Sequence, residues 1–252
     1  MYKIPARTLF LGKNLLILPE CPSTNTFALE LSQSGQAPEG TVVVTHHQTA
    51  GRGQRGNTWQ SGKGLNLTMS LVLYPVFLTA IEQFQFNKVI SLAVRETVQP
   101  YTKELVTVKW PNDILIGNKK TGGILIENQL AGAMVSRSIV GIGLNVNQTE
   151  FESPMATSIS SHSGKPIDLA KIFEELLQSV EWRYFQLKRR QIPEIDDDYL
   201  KVLFGFNESR RFIVNDLEVT GVIRNVDVNG RLVVEIGGST RAFDLKEIKY
   251  LY

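Results

Sequence analysis

Residues 106–128, Val-Thr-Val-Lys109-Trp110-Pro111-Asn112-Asp113-Ile-Leu-Ile-Gly117-Asn118-Lys119-Lys120-Thr121-Gly122-Gly123-Ile-Leu-Ile-Glu127-Asn128, constrain this chain most. Two apolar, β-branched runs flank Gly117-Asn118, a two-residue hairpin signal. That turn predicts Leu115 opposite Lys120 and Asp113 opposite Gly122. Side chains alternate along a strand, so Asp113, Leu115 and Lys120 share one face, while Ile114 and Ile116 point to the core. A carboxylate, a lysine and two glycines then meet on one side, which suits an anionic ligand with a metal ion. Glycine lets such a ligand approach the backbone closely. The plainer alternative is a hairpin with a solvated polar face. Pro111 inside the run predicts an edge or a bulge, where side chains are re-aimed.

A chain of 252 residues accommodates one large domain and a small one. Its net charge of +2 excludes a strong nucleic-acid field. The single cysteine, Cys21, excludes an internal disulfide and fits a reducing compartment. Cys21 has no adjacent base and reads as a small buried residue rather than a nucleophile. No apolar run approaches the length of a membrane span, and the first residues lack a secretory pattern. The expectation is a cytoplasmic protein that does not enter a membrane.

Residues 14–18 read as a short strand, followed by a helix that begins near Ser23-Thr24-Asn25 and ends at Gly35. Ser23 and Thr24 read first as helix caps, although a helix start also offers amides to a polar ligand. Thr41–Thr45 is a buried strand. It runs into Gln48-Thr-Ala-Gly51-Arg52-Gly53-Gln54-Arg55-Gly56-Asn57-Thr58-Trp59, a flexible basic loop able to wrap a phosphate. Its arginines have no obvious protein partner, so the loop is expected to order on ligand binding. It is neither a P-loop nor a Rossmann turn. His46-His47 lacks a spaced third metal ligand. Strands are expected at 65–73, 131–135 and 138–147, and helices within 77–99, its stripe running from Asn87 to Gln99, and from Asp168 to about Arg190. Residues 149–166 read as loop. From about Asn207 only short strands follow, with turns at Asn215-Asp216, Asn229-Gly230 and Gly237-Gly238. They form a small β-barrel without a catalytic constellation of its own.

Taken together, the Gln48–Trp59 loop, Lys109-Trp-Pro-Asn-Asp113, Lys120-Thr-Gly-Gly123 and Gly141-Ile-Gly-Leu-Asn145 resemble the biotin protein ligases over nearly the whole chain. The resemblance implies an α/β (α+β) catalytic domain of the biotin/lipoate ligase type, with a mixed sheet and flanking helices, over 1–206. It implies a C-terminal SH3-like β-barrel over 207–252. The implied reaction joins biotin to ATP, giving biotinyl-5′-AMP and pyrophosphate. Biotin then passes to one lysine of the biotin carboxyl carrier protein of acetyl-CoA carboxylase. By position, Ser23, Thr24, Asn25, Gln48, Gly51, Gly123 and Gly141 resemble biotin-site residues. Arg52 and Lys120 resemble the cations at the biotin carboxylate and α-phosphate, and are the expected catalytic pair. Gln54, Arg55, Asn57, Trp59, Asn112 and Asn145 resemble the nucleotide side, with Asp113 near Mg²⁺.

Two departures stand out. Gln54 occupies a loop position where the family often has a second arginine, so weaker retention of the adenylate phosphate is expected. The roughly 13 residues before the first strand are too few for a helix-turn-helix, so DNA binding is not expected. The rival readings are a lipoate or octanoate ligase or transferase on the same scaffold, and a non-catalytic biotin sensor. A monomer and a homodimer both remain open.

Overall fold

The structure, a computed structural model, describes residues 2–251, the Arg55 side chain excepted. Seven strands form one mixed sheet: β1 (Leu15–Leu18), β2 (Thr41–Thr45), β3 (Leu67–Leu73), β4 (Val106–Lys109), β5 (Asp113–Ile116), β6 (Lys119–Ala131) and β7 (Met134–Leu144). Their spatial order is β1-β2-β3-β7-β6-β5-β4; β1 and β2 run parallel, and every other pair is antiparallel.

Each face of this sheet has its own task. Leu67, Met69, Leu71 and Leu73 of β3 alternate into a core with α2 (Gln83–Val98) and α4 (Leu169–Lys188). In α4, Ile172, Phe173, Leu176, Leu177, Val180, Tyr184 and Leu187 recur at helical spacing and are buried, and Asp168 caps the helix by accepting from Ala170 N at 2.8 Å. On the opposite face α1 (Thr24–Gln33) covers Val43, Val72 and Ile139 through Ala28. The remainder of that face lies open beside α1, and there the polar residues gather.

The expected hairpin is present, with a difference. Leu115 pairs with Lys120 as predicted, but a bulge between Ile114 and Leu115 sets Asp113 opposite Gly123 rather than Gly122. Ile114 and Ile116 enter the core. Pro111 is not in a bulge; it stands just past the end of β4, the edge strand of the sheet. It lies in the Trp110-Pro111-Asn112 connection, where the chain reverses between β4 and β5. The segments at 131–135 and 138–147 are not two strands. Gly132, at φ 60°, turns β6 into β7, and β7 continues without a break to Leu144. α2 lies inside the expected 77–99 window and begins four residues before Asn87, and a short helix α3 (Ile159–Ser163) interrupts the predicted loop.

After α5 (Ile192–Lys201) come β8 (Ser209–Val214), β9 (Leu217–Val226), β10 (Leu232–Ile236), β11 (Ser239–Phe243) and β12 (Ile248–Tyr250). They form an antiparallel, barrel-like sheet in the order β11-β10-β9-β8-β12. All three predicted turns fall between strands, with Asn215 and Asp216 both at positive φ. This sheet is not an appendage. Phe212, Ile223, Leu232, Val234, Phe243 and Ile248 belong to the same apolar core as β3 and α4. Trp110 Nε1 donates to Gly230 O at 2.8 Å across the junction.

Candidate functional site

A cavity of about 570 Å³ opens on the sheet face left free by α1. That volume lies within the range of small-molecule sites. Its floor is glycine where strands β6 and β7 pair: Gly123 faces Gly143, and Leu125 faces Gly141. Glycine is required there by what lies above it. A methyl group on Gly143 would collide with the Trp59 indole, and one on Gly141 with Asn25 Oδ1. Flat backbone therefore lets two side chains settle directly on the sheet.

The α1 end of the cavity is a hydrogen-bonded cluster. Gln48 Oε1 accepts from Thr24 N at 2.8 Å and from Thr24 Oγ1 at 3.1 Å. Gln48 thus caps α1, a role expected of Ser23. Ser23 holds the cap position with extended backbone, its side chain makes no capping bond, and it lines the cavity instead. Ser70 of β3 donates to Asn25 Oδ1 at 2.6 Å and lies 2.7 Å from Thr24 Oγ1. Asn25 Nδ2 donates to Glu127 Oε2 at 2.8 Å.

The other end carries charge. Lys120 Nζ is 2.6 Å from Asp113 Oδ1 and 5.7 Å from the centroid of the Trp59 ring. Asn112 Nδ2 donates to Ile124 O at 2.6 Å, tying the β4–β5 connection to β6. The Lys120 backbone is held on both sides, its N–H by Met155 O and its carbonyl by Thr157 N. Arg52, Lys109, Lys120, Lys246 and Lys249 all line the cavity, against one carboxylate among the described residues, Asp113. Such a lining favours a polyanion.

Most of the predicted residues meet here: Ser23, Thr24, Asn25, Gln48, Arg52, Gln54, Asn57, Trp59, Asn112, Asp113, Lys120, Gly123 and Gly141 all line the one cavity. Two do not. Gly51 is buried behind the loop, its carbonyl accepting from Trp59 N at 3.0 Å. Asn145 is buried past the end of β7, its Nδ2 donating to Thr157 O at 3.1 Å. Arg55 lies by its backbone in the short turn Gln54–Gly56, and its side chain falls outside the described set. Arg52 does have a protein partner, contrary to expectation: its Nη2 is 2.7 Å from Glu127 Oε2.

The sequence reading missed Glu127, Ser70, Lys109 and the C-terminal Lys246, Lys249 and Tyr250. Alternation from Gly123 through Leu125 would have placed Glu127 on the site face. No local signal links residues 246–250 to it. Among the described residues no cluster of three His, Cys, Asp or Glu side chains could hold a metal ion by itself. His47 Nδ1 instead lies 2.8 Å from Glu20. Burial pushes the Cys21 thiol up, against a nucleophilic role.

The model of the biotin/lipoate A/B protein ligase family matches residues 18–145. A biotin–[acetyl-CoA-carboxylase] ligase of Mycobacterium tuberculosis is 30% identical over 248 residues, spanning 95% of this chain and 90% of that protein. The bifunctional ligase/repressor BirA of Bacillus spizizenii is 39% identical over 183 residues, spanning 71% of this chain. Here the match covers only 56% of the Bacillus protein's length. The biotin protein ligase of Aquifex aeolicus, solved with biotin and ATP, superposes with a TM-score of 0.78 at 26% identity, covering 95% of this chain and all of that one.

Proposed function

Because this chain belongs to the biotin/lipoate A/B protein ligase family, we propose that it is a biotin protein ligase, which adenylates biotin with ATP and transfers it to a lysine of a carrier protein. One observation carries the reading: a single cavity joins the Thr24–Asn25–Gln48 hydrogen-bond cluster to a rim of five basic side chains. The cluster suits a neutral polar head such as a ureido group, and the rim suits a triphosphate.

In the first step a biotin carboxylate oxygen attacks the α-phosphorus, and pyrophosphate leaves. Two anions must meet, so cations have to cancel their repulsion and stabilise the in-line transition state. Lys120 is placed for this, already paired to Asp113 and fixed by its backbone. Arg52 is the second cation of the reading. Trp59 offers an aromatic face beside Lys120 to a base or ring. Mg²⁺ accompanying the nucleotide would neutralise phosphate charge. Asp113 is the residue to hold it, since Mg²⁺ commonly takes one or two carboxylates with substrate phosphates. In the second step a carrier lysine attacks the acyl carbon and AMP leaves.

The carrier is proposed to be the biotin carboxyl carrier protein of acetyl-CoA carboxylase, and the location the cytoplasm. No helix among the described residues is long and apolar enough to cross a membrane. We place the boundary of the two domains at 206/207. Pyrophosphate release on adding biotin and MgATP tests the reading. Release with lipoate or octanoate in place of biotin would transfer it to the sister activity. Binding of biotin without any release would leave a sensor.

A further inference from the structure

Glu127 is outside the family-derived site and does not line the cavity, yet two cavity residues end on it. It follows Gly123 and Leu125 on the site face of β6, and its β7 neighbour is Ile139. Beyond Leu125 the floor of the cavity therefore stops at a carboxylate and an isoleucine. One oxygen, Oε2, takes both Arg52 Nη2 at 2.7 Å and Asn25 Nδ2 at 2.8 Å. The two donors come from different parts of the chain. Asn25 is in the first turn of α1 and closes the α1 end of the site. Arg52 stands near the start of the loop that carries Trp59.

Both partners are thereby oriented. Asn25 must turn Nδ2 toward the carboxylate, which leaves Oδ1 for Ser70 at 2.6 Å. Arg52 spends one edge of a five-donor fork on Glu127, and the guanidinium is held at the cavity wall. The loop has further ties to itself, from Gly53 N to Asn57 O at 2.7 Å and from Trp59 N to Gly51 O at 3.0 Å. Those close the loop as a unit. Among the described residues, the Arg52–Glu127 pair joins this unit to the sheet alongside the Trp59 indole, which packs on Gly143.

We propose that Glu127 is a positioning residue: its carboxylate fastens the Gly51–Trp59 loop to the sheet before ligand arrives and sets Asn25 in the same act. A serial device of this kind pre-organises the site and reduces the ordering left to the ligand. The charge–hydrogen-bond pair is part-exposed, with side chains 44% and 35% accessible, so it is a fastening of modest strength that can yield.

Two measurements test the role of Glu127, and only the second rests on the ligase activity. The first arm is hydrogen–deuterium exchange of ligand-free protein. In Glu127→Gln, which keeps the shape and loses the charge, amides 51–59 should exchange several-fold faster, and in Glu127→Ala roughly tenfold faster. Amides of β9 and β10 should be unchanged, as should the loop in Glu235→Ala, which breaks a comparable pair with Arg224. The second arm is kinetics with biotin and MgATP. Glu127→Gln should raise the biotin KM about tenfold with kcat within threefold. Glu127→Asp should recover part of that loss. Loop exchange within twofold of wild type in both variants would overturn the proposal. A fall in biotin KM would overturn it too, since Glu127 would then be holding Arg52 away from the ligand. If the wild-type protein turned over no biotin, the ligase reading would fail, and the exchange arm would still decide the role of Glu127.

Discussion

At the scale of single residues, Lys120 carries the most chemistry for its surroundings. Its ammonium is 2.6 Å from Asp113, its backbone is bonded on both sides, and it stands beside the Trp59 ring. Lys120→Ala removes a transition-state cation and is expected to cost on the order of 3 kcal/mol, about a hundredfold in adenylation rate. Lys120 is part-exposed, so the thermal transition should hardly move. Adenylation within threefold of wild type would refute its role. Gln54 lines the same cavity with a neutral amide. Gln54→Arg offers a charge-assisted bond to the α-phosphate, worth about 1 kcal/mol. Release of biotinyl-5′-AMP should slow by about fivefold. Stopped-flow release at an unchanged rate would mean that another side chain already fills that place.

At the scale of elements, the ends of α2 and α4 are joined by charge. Glu82 accepts from Thr79 N at 3.2 Å and Thr79 Oγ1 at 2.9 Å, and pairs with Arg190 just past α4. Arg190 holds the Glu82 carboxyl down to about 2. A depressed carboxyl stabilises the fold above its unfolded value near 4.5, and that contribution is lost as pH falls from there toward 2. Glu82→Gln should therefore lower stability at pH 6 by about 1 kcal/mol, discounted for the exposed arginine, and flatten the acid limb below pH 4.5. Parallel acid titrations of the two proteins by circular dichroism would expose an error, because identical limbs contradict the pairing. What could be read from the sequence follows the same local logic. Gly117-Asn118 announced its turn, and Asp168 and the α4 stripe announced their helix, because each signal acts within a few residues. Pro111 does mark the edge strand, but a proline in an apolar run fits a bulge and a reversal equally well, so its place in the reversal is not legible locally. α5 carries Pro193 in its first turn, where a proline does not signal a helix by itself. At the first helical turn its missing N–H costs nothing. The bulge that sets Asp113 opposite Gly123 depends on pairing across β5 and β6, which alternation alone does not encode.

At the scale of the molecule, the C-terminal sheet is part of the site. Lys246, Lys249 and Tyr250 line the cavity more than 120 residues after Lys120, and Lys246 stands at φ 86°, a conformation uncommon outside glycine. The sequence reading left this sheet without site residues, because no short-range pattern ties the last strand to residues 106–128. The junction itself rests on buried contacts. Trp110→Phe removes the Nε1 bond to Gly230 O together with part of a buried ring, which is expected to cost roughly 2–4 kcal/mol and to lower the midpoint of one common unfolding transition. Two separate transitions in the wild-type protein would show instead that the sheets fold independently. The central claim is that this cavity makes biotinyl-5′-AMP and passes biotin to protein. Its most direct measurement is mass spectrometry of an isolated carrier domain incubated with this protein, biotin and MgATP. The account predicts one biotinyl group on one carrier lysine, dependent on ATP and nearly lost with Lys120→Ala. An unmodified carrier, or one that accepts a lipoyl or octanoyl group and no biotin, would contradict it.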